Sequence, residues 1–205
     1  ALLHDVPALI RRIGAMLAAL PALRASSPDA VIAVEVRNPE LLTREFAAML
    51  RASGATYCLG LHAKLPAIDA QLPLLRALWP GPLVCRWNLH AKHGAYGYEQ
   101  ARQRYGAFDC IVDADPATRE TLARVIVGTT GAGYPAYVTI NNKAEGSAPL
   151  SVQALAEAVA AQPWAAGVDV VVPVPATWRT RLTRGSNPAT LLGKAAQADS
   201  DFQAA

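Results

Sequence analysis

A chain of 205 residues, 52% hydrophobic and 17% charged, is long enough for one domain with a substantial core and too apolar to be disordered. Its 19 basic and 16 acidic residues leave a net charge of +3, too mild to argue for nucleic acid by itself. No apolar run approaches the roughly 20 residues of a membrane span, so a membrane partner is not expected.

The start, Ala1-Leu2-Leu3-His4-Asp5, lacks the basic and apolar segments of a signal peptide, and it lacks an initiator Met. Cys58, Cys85 and Cys110 are odd in number and have no metal-type spacing. Reduced thiols in a cytoplasmic protein are the expectation.

The periodicity of Val6, Leu9, Ile10, Ile13, Leu17 and Leu20 predicts a helix over 5–20, with Asp5 as its N-cap and Pro7 just inside. Val31 to Val36 is a β-branched run bounded by turn residues, hence a first strand. Pro39 to Arg51 reads as a helix stopped at Gly54. Thr56 to Leu61 is a second strand, Pro66 to Trp79 a helix bent near Pro73, and Leu83 to Leu89 a third strand. Tyr98 to Tyr105 is a short helix, and Asp115-Pro116 opens another to about Val127. Gly128 to Gly133 reads as loop punctuation, since it precedes a strand and matches no dinucleotide fingerprint. Ala136 to Ile140 is the fourth strand, and Ser151 caps a helix to Ala161. Val168 to Val172 offers a fifth, short strand. Residues 1–162 thus form the folded unit, and residues 163–205, with the run Arg179-Thr180-Arg181 and Arg184, an irregular C-terminal tail.

Alternation of strands and helices implies a parallel α/β sheet. Side chains alternate faces along a strand. Val34 and Val36 oppose Glu35 and Arg37; Leu59 and Leu61 oppose Gly60 and His62; Trp87 and Leu89 oppose Arg86, Asn88 and His90; Ile140 opposes Asn141. Each strand has an apolar face and one that turns polar toward its carboxyl end. A sheet covered by helices on both sides needs two apolar faces, whereas a (β/α) barrel needs apolar residues outward and polar ones inward at the top. The expectation is therefore a TIM-barrel-like fold with only four to five strands of the usual eight. With no initiator Met, the expectation is that this is the second half, closed by a missing N-terminal half or by self-association.

The segments Val34-Glu35-Val36-Arg37-Asn38-Pro39, Arg86-Trp87-Asn88-Leu89-His90, Tyr98-Glu99, Phe108-Asp109 and Asn141-Asn142-Lys143-Ala144-Glu145-Gly146-Ser147-Ala148-Pro149 resemble, in the same order, the YecE-like family. That is the uncharacterised TIM-barrel family known as domain of unknown function seventy-two. The resemblance covers roughly Ala30 to Val159, and the double-Asn segment is its most specific part. Family members follow Glu-x-Arg with His and an aromatic, where this chain has Asn38-Pro39. The resemblance implies a barrel with its site at the strand ends, and no settled activity.

The residues themselves suggest chemistry. Glu35 beside Arg37 is held ionised, and it could serve as a general base, bind a substrate hydroxyl, or form a structural ion pair. Arg37 and Arg86 on neighbouring strands could grip a phosphate or carboxylate. His90 ends its strand where a proton-transfer residue would sit, while His93 is expected to be exposed. A metal held by His62, His90, His93 and Glu35 has no supporting motif. Asn88 and Asn141 offer amides to a substrate, Asn142 could do so or brace its loop, and Lys143 is expected to pair with Glu145. Gly146 and Ser147 could present backbone N–H groups to an anion at the last helix. The reading is a hydrolase-like enzyme for a small polar anionic ligand, with Glu35 and His90 handling protons and Arg37, Arg86, Asn88, Asn141 and Asn142 binding substrate. The alternative is a non-catalytic phosphate or nucleic-acid binding protein. No cofactor is assigned, because neither a P-loop nor a dinucleotide fingerprint occurs.

Overall fold

A computed structural model describes residues 4–20, 27, 30–163, 170–173 and 179–182. Helix α1 (Val6–Ala18) begins where expected, since the Asp5 side chain accepts from the Ala8 N–H at 2.8 Å. Strand β1 is only Ala33–Val34, shorter than its β-branched run suggests, because ladder pairing with its single neighbour covers just those two residues.

Pro39 opens a 3-10 turn (Pro39–Leu41) rather than the helix itself. Helix α2 (Arg44–Ala52) starts afresh because Thr43 Oγ1 accepts from Phe46 N at 3.2 Å. It ends at Gly54, whose φ of +65° suits glycine. Strand β2 (Thr56–Leu61), helix α3 (Ile68–Ala77, with Pro73 inside), strand β3 (Leu83–Trp87) and helix α4 (Tyr98–Tyr105) follow in order.

Helix α5 (Pro116–Gly131) runs through the segment read as a glycine loop. Thr129 and Thr130 turn their hydroxyls back onto the carbonyls of Val125 and Ile126, both at 2.9 Å, and so fit the helix interior. Strand β4 (Ala136–Ile140) leads to helix α6 (Ala148–Ala160). Ser147, not Ser151, holds the N-cap position, and Ser151 is buried within the helix. Asn142 reaches across the turn instead, its Oδ1 accepting from Ala148 N at 2.8 Å.

Strand β5 (Val170–Pro173) overlaps the expected fifth strand at Val168–Val172, but it pairs antiparallel with β6 (Arg179–Leu182) rather than joining the main sheet, within the stretch otherwise expected to be irregular. The remainder of that stretch, including Val168, Arg184 and the alanine-rich end, lies outside the described residues.

The main sheet is parallel throughout, with strands in chain order β1-β2-β3-β4. Its apolar face carries Tyr57, Leu59, Cys85, Trp87 and Val138. Against that face pack Ile10 and Leu17 of α1, Phe46 and Leu50 of α2, Leu74 of α3, Leu122 and Ile126 of α5, and Leu155 of α6, in one continuous core. Arg86 and Thr139 occupy paired positions on the other face, and both are exposed. Helices α1, α2, α3, α5 and α6 thus share the apolar side of the sheet, while α4 belongs to a separate small cluster with Leu89, and Arg86 and Thr139 lie on the opposite face.

A buried amide braces the core beneath the site. Gln71 is 1% exposed and satisfies both ends of its amide. Its Oε1 accepts from Tyr57 Oη at 2.7 Å, and its Nε2 donates to the carbonyls of Pro66 (2.7 Å) and Gly60 (3.0 Å). This ties α3 to β2 beneath the carboxyl end of the strand, where the polar face gathers its charges.

Candidate functional site at the carboxyl ends of the strands

Glu35 follows β1 directly, and three donors converge on its carboxylate. Arg37 Nε reaches Oε1 at 3.2 Å, Asn88 Nδ2 reaches the same oxygen at 3.0 Å, and Arg86 Nη1 reaches Oε2 at 2.7 Å. The alternation along each strand explains the meeting, since Glu35, Arg37, Arg86 and Asn88 all occupy the polar-face positions. Burial pushes the Glu35 carboxyl up, but the hydrogen bonds and charges of Arg86 and Arg37 outweigh it and hold the group below its ordinary value. In return, Glu35 raises Arg86 further above an already high value. Two guanidinium groups against one carboxylate leave one positive charge over.

Cys58 lies in the same electrostatic neighbourhood. Burial, and secondarily the charge of Glu35, pushes its thiol up to about 11, so it stays protonated and is no thiolate nucleophile at neutral pH. All three cysteines are free.

His62 closes β2 and is 6% exposed. Its Nδ1 accepts from Lys64 N at 3.1 Å, which leaves the proton of the neutral ring on Nε2. Its ring stacks on Tyr98, with centroids 5.8 Å apart and an interplanar angle of 27°. The Arg37 guanidinium sits 6.0 Å from the centroid of the same Tyr98 ring. Burial first, then the charges of Arg37 and Lys64, keeps the His62 pKa below its ordinary value. Tyr98 stood in one of the family-like segments, but nothing in its spacing signalled the stacking; α4 brings it there.

The other expected residues serve their own loops. His90 Nδ1 accepts from Lys92 N at 3.2 Å and caps the 3-10 turn Ala91–His93. Asn141 Oδ1 accepts from Lys143 N at 2.9 Å, a local Asx turn. Asn142 braces the start of α6, as above. None of the three hydrogen-bonds with the Glu35 group among the described residues.

Two expectations around them are corrected. His93 is not exposed: its side chain is 3% accessible, with Nε2 2.8 Å from Tyr105 Oη and 3.7 Å from Asp113. Lys143 does not pair with Glu145; its ammonium lies 5.5 Å from the Phe108 ring centroid, while the fully buried Glu145 faces Arg119 Nε at 3.3 Å. At the turn before α6, the N–H groups of Gly146 and Ala148 are taken by the Asn142 carbonyl and side chain, so of the two expected anion-facing groups the Gly146 N–H is already bonded. Gly146 has φ +124°, and a Cβ there would come within 2.6 Å of the Cys110 carbonyl oxygen.

Sequence reading also missed a second charged group beside the site. Asp113 accepts a two-pronged contact from Arg104 (2.8 and 2.9 Å) and a 2.6 Å contact from Lys92. The Arg104 bonds dominate in holding the Asp113 carboxyl far below its ordinary range. These residues lie on loops and on α4, where no strand alternation announces direction.

A cleft of about 430 Å³ opens at this same end of the sheet, lined by His62, Trp87, Leu89, Asp69 and Asp115 among others. A larger hollow of about 640 Å³ lies at the amino ends, around Ile32, Thr56 and Pro82, remote from Glu35. Among the described residues, no three His, Cys, Asp or Glu side chains come together as a metal site would require. No helix there is long and apolar enough to cross a membrane.

The fold and site define a class: a parallel α/β protein whose polar, net-cationic residues gather where the strands end. Within that class, the chain belongs to the family described as protein of unknown function DUF72, which matches residues 2–175. This is the family that the double-Asn segment and the Glu-x-Arg pair resembled, and the match extends well beyond them on both sides. No curated protein and no solved structure matches the chain.

Proposed function

We propose that this chain supplies four strands of a (β/α) barrel and that the face bearing Glu35 and Arg86 is its lumen. Sequential parallel order supports this reading, as do the five helices α1, α2, α3, α5 and α6 packed on one face and the polar side chains at the strand ends of the other. Further strands, from an N-terminal half or a second copy, would close the barrel. The free thiols suit a reducing, cytoplasmic setting.

At the strand ends the protein binds a small polar anion and acts on it as a hydrolase-like enzyme. The observation that carries this is the pairing of Arg37 and Arg86 with one carboxylate, which leaves positive charge for a ligand. An incoming phosphate or carboxylate competes with Glu35 for the Arg86 fork. Once Arg86 turns to the ligand, Glu35 loses its strongest partner and becomes the better base. His90 is the proposed second proton-handling group, and Asn88, Asn141 and Asn142 offer amides to orient substrate.

Titration of the full protein with inorganic phosphate tests the anion site, followed by phosphoester and glycoside substrates for turnover. Arg86→Ala is expected to weaken phosphate binding about tenfold, the loss of one charge-assisted contact. Phosphate binding unchanged by Arg86→Ala would sink this reading. Steeply salt-dependent nucleic-acid binding that survives Glu35→Ala would favour the non-catalytic alternative.

A further inference from the structure

Two buried polar atoms next to the Glu35 group lack hydrogen-bond partners among the described residues: His62 Nε2 and Tyr98 Oη. Leaving a buried donor unsatisfied is costly, so two in one stacked pair call for an explanation. Core packing is not the reason. His62 already spends Nδ1 on the Lys64 N–H, which fixes the ring and commits Nε2 as a donor. Tyr98 does not join the main core either; it packs with Phe108 against a small satellite of Leu89, Ala101 and Tyr105.

Two glycines in the left-handed backbone region bound the segment carrying Tyr98. Gly94 and Gly106, with φ of +68° and +58°, flank it on either side, and a Cβ would meet nothing within 4 Å at either position. Its small separate core places it toward the low-stability end of the fold. Arg37 ties it to the charged group, since the guanidinium that contacts Glu35 also lies near the Tyr98 ring.

We propose that His62 is a ligand-binding residue of the Glu35 site, presenting its Nε2–H to an oxygen of the bound oxyanion, and that Tyr98 is the cover that turns aside to admit it. This rests on the anion-binding reading above and adds the group that grips the anion's far side. Arg37 and Arg86 supply charge, while His62 supplies an uncharged donor. That combination suits a singly charged oxyanion whose other oxygens are hydroxyls or ester oxygens, such as the monoanion of phosphate.

The test uses the full chain uniformly labelled with 15N, its four histidines included, with inorganic phosphate as the probe. Phosphate is expected to shift the His62 Nε2 resonance and to slow modification of His62 by diethyl pyrocarbonate. Tyr98→Ala is expected to speed that modification about tenfold without phosphate, and Tyr98→Phe is expected to leave it slow, because the ring remains. His62→Ala is expected to weaken phosphate binding about tenfold, with His62→Gln recovering part of the loss. If phosphate moves Arg86 and Asn88 resonances but leaves His62 unmoved, the His62 proposal is overturned while the anion site stands. If phosphate moves none of them, the anion site itself falls. The wild-type measurement decides between these outcomes even if a Tyr98 variant fails to fold.

Discussion

Arg86 and Glu35 stand 51 residues apart in the chain, yet Arg86 Nη1 lies 2.7 Å from Glu35 Oε2. They sit on β3 and after β1, which do not pair directly, so the contact spans β2. It does so across the face opposite the main helical core, and it makes Glu35 the hub of the group.

Glu35 should therefore control the charge of the site. Glu35→Gln keeps the shape and removes the carboxylate that neutralises one guanidinium. Phosphate affinity at low salt is expected to rise about fivefold, as expected for one unit charge at contact range in a half-exposed setting. Isothermal titration at two ionic strengths checks this, and the gain should shrink at high salt. Turnover, where found, should be lost in the same variant.

Stability should fall in two steps on acidification. The pKa values of His62 and His93 are lowered, chiefly by burial, so the unfolded chain binds more protons in that range. Their contribution is fully present above the ordinary value of 6.5 and is lost as pH falls below it. Glu35 and Asp113 are also depressed, and their contribution is lost as pH falls below the ordinary values of 4.5 and 3.8. Urea midpoints from pH 8 to 3 should decline in both windows. Asp113→Asn should flatten the lower one, and His93→Gln the upper.

The amide of Gln71 is a buried brace. Gln71→Leu leaves the Tyr57 hydroxyl and the carbonyls of Gly60 and Pro66 without their partner, at a cost of about 3 kcal/mol. Adding Tyr57→Phe should recover about 1 kcal/mol, because one of the stranded groups is then removed. Urea unfolding of the single and double variants measures both.

Glu145 is a buried charge facing Arg119. Arg119→Ala should destabilise the chain by about 3 kcal/mol, since it leaves a fully buried carboxylate without its counter-charge. Arg119→Ala combined with Glu145→Gln should be less damaging than Arg119→Ala alone. An equal or larger loss in the double variant would show that the pair matters through packing and not charge.

Much of this was legible from local pattern. Period-two alternation placed Glu35, Arg37, Arg86 and Asn88 on one face before any contact was known, because strand geometry alone dictates which side chains share a side. Tyr98–Tyr105 and Ala136–Ile140 carry the same bounds in sequence and structure, since their turn residues and periodicity agree. Caps at Asp5 and Asp115 were equally local, each a side chain closing onto an N–H three residues ahead.

What the sequence could not decide was anything resting on a competition between distant partners. Glu145 had Lys143 beside it, yet pairs with Arg119 because the loop turns it inward while Lys143 stays out. His93 looked exposed until the Tyr105 and Asp113 side chains, on α4 and beyond it, enclosed it. Gly128–Gly131 looked like a loop until threonine hydroxyls found carbonyls one turn back. The sequence by itself determined the parallel α/β class, the polar face and the strand-end position of the charges, because these follow from short-range periodicity. Only the tertiary structure decided that Glu35 takes three donors and that His62 lies beneath Tyr98. Both depend on how β1, β3 and α4 are placed around β2, and burial and charge then select among partners that sequence spacing leaves equal.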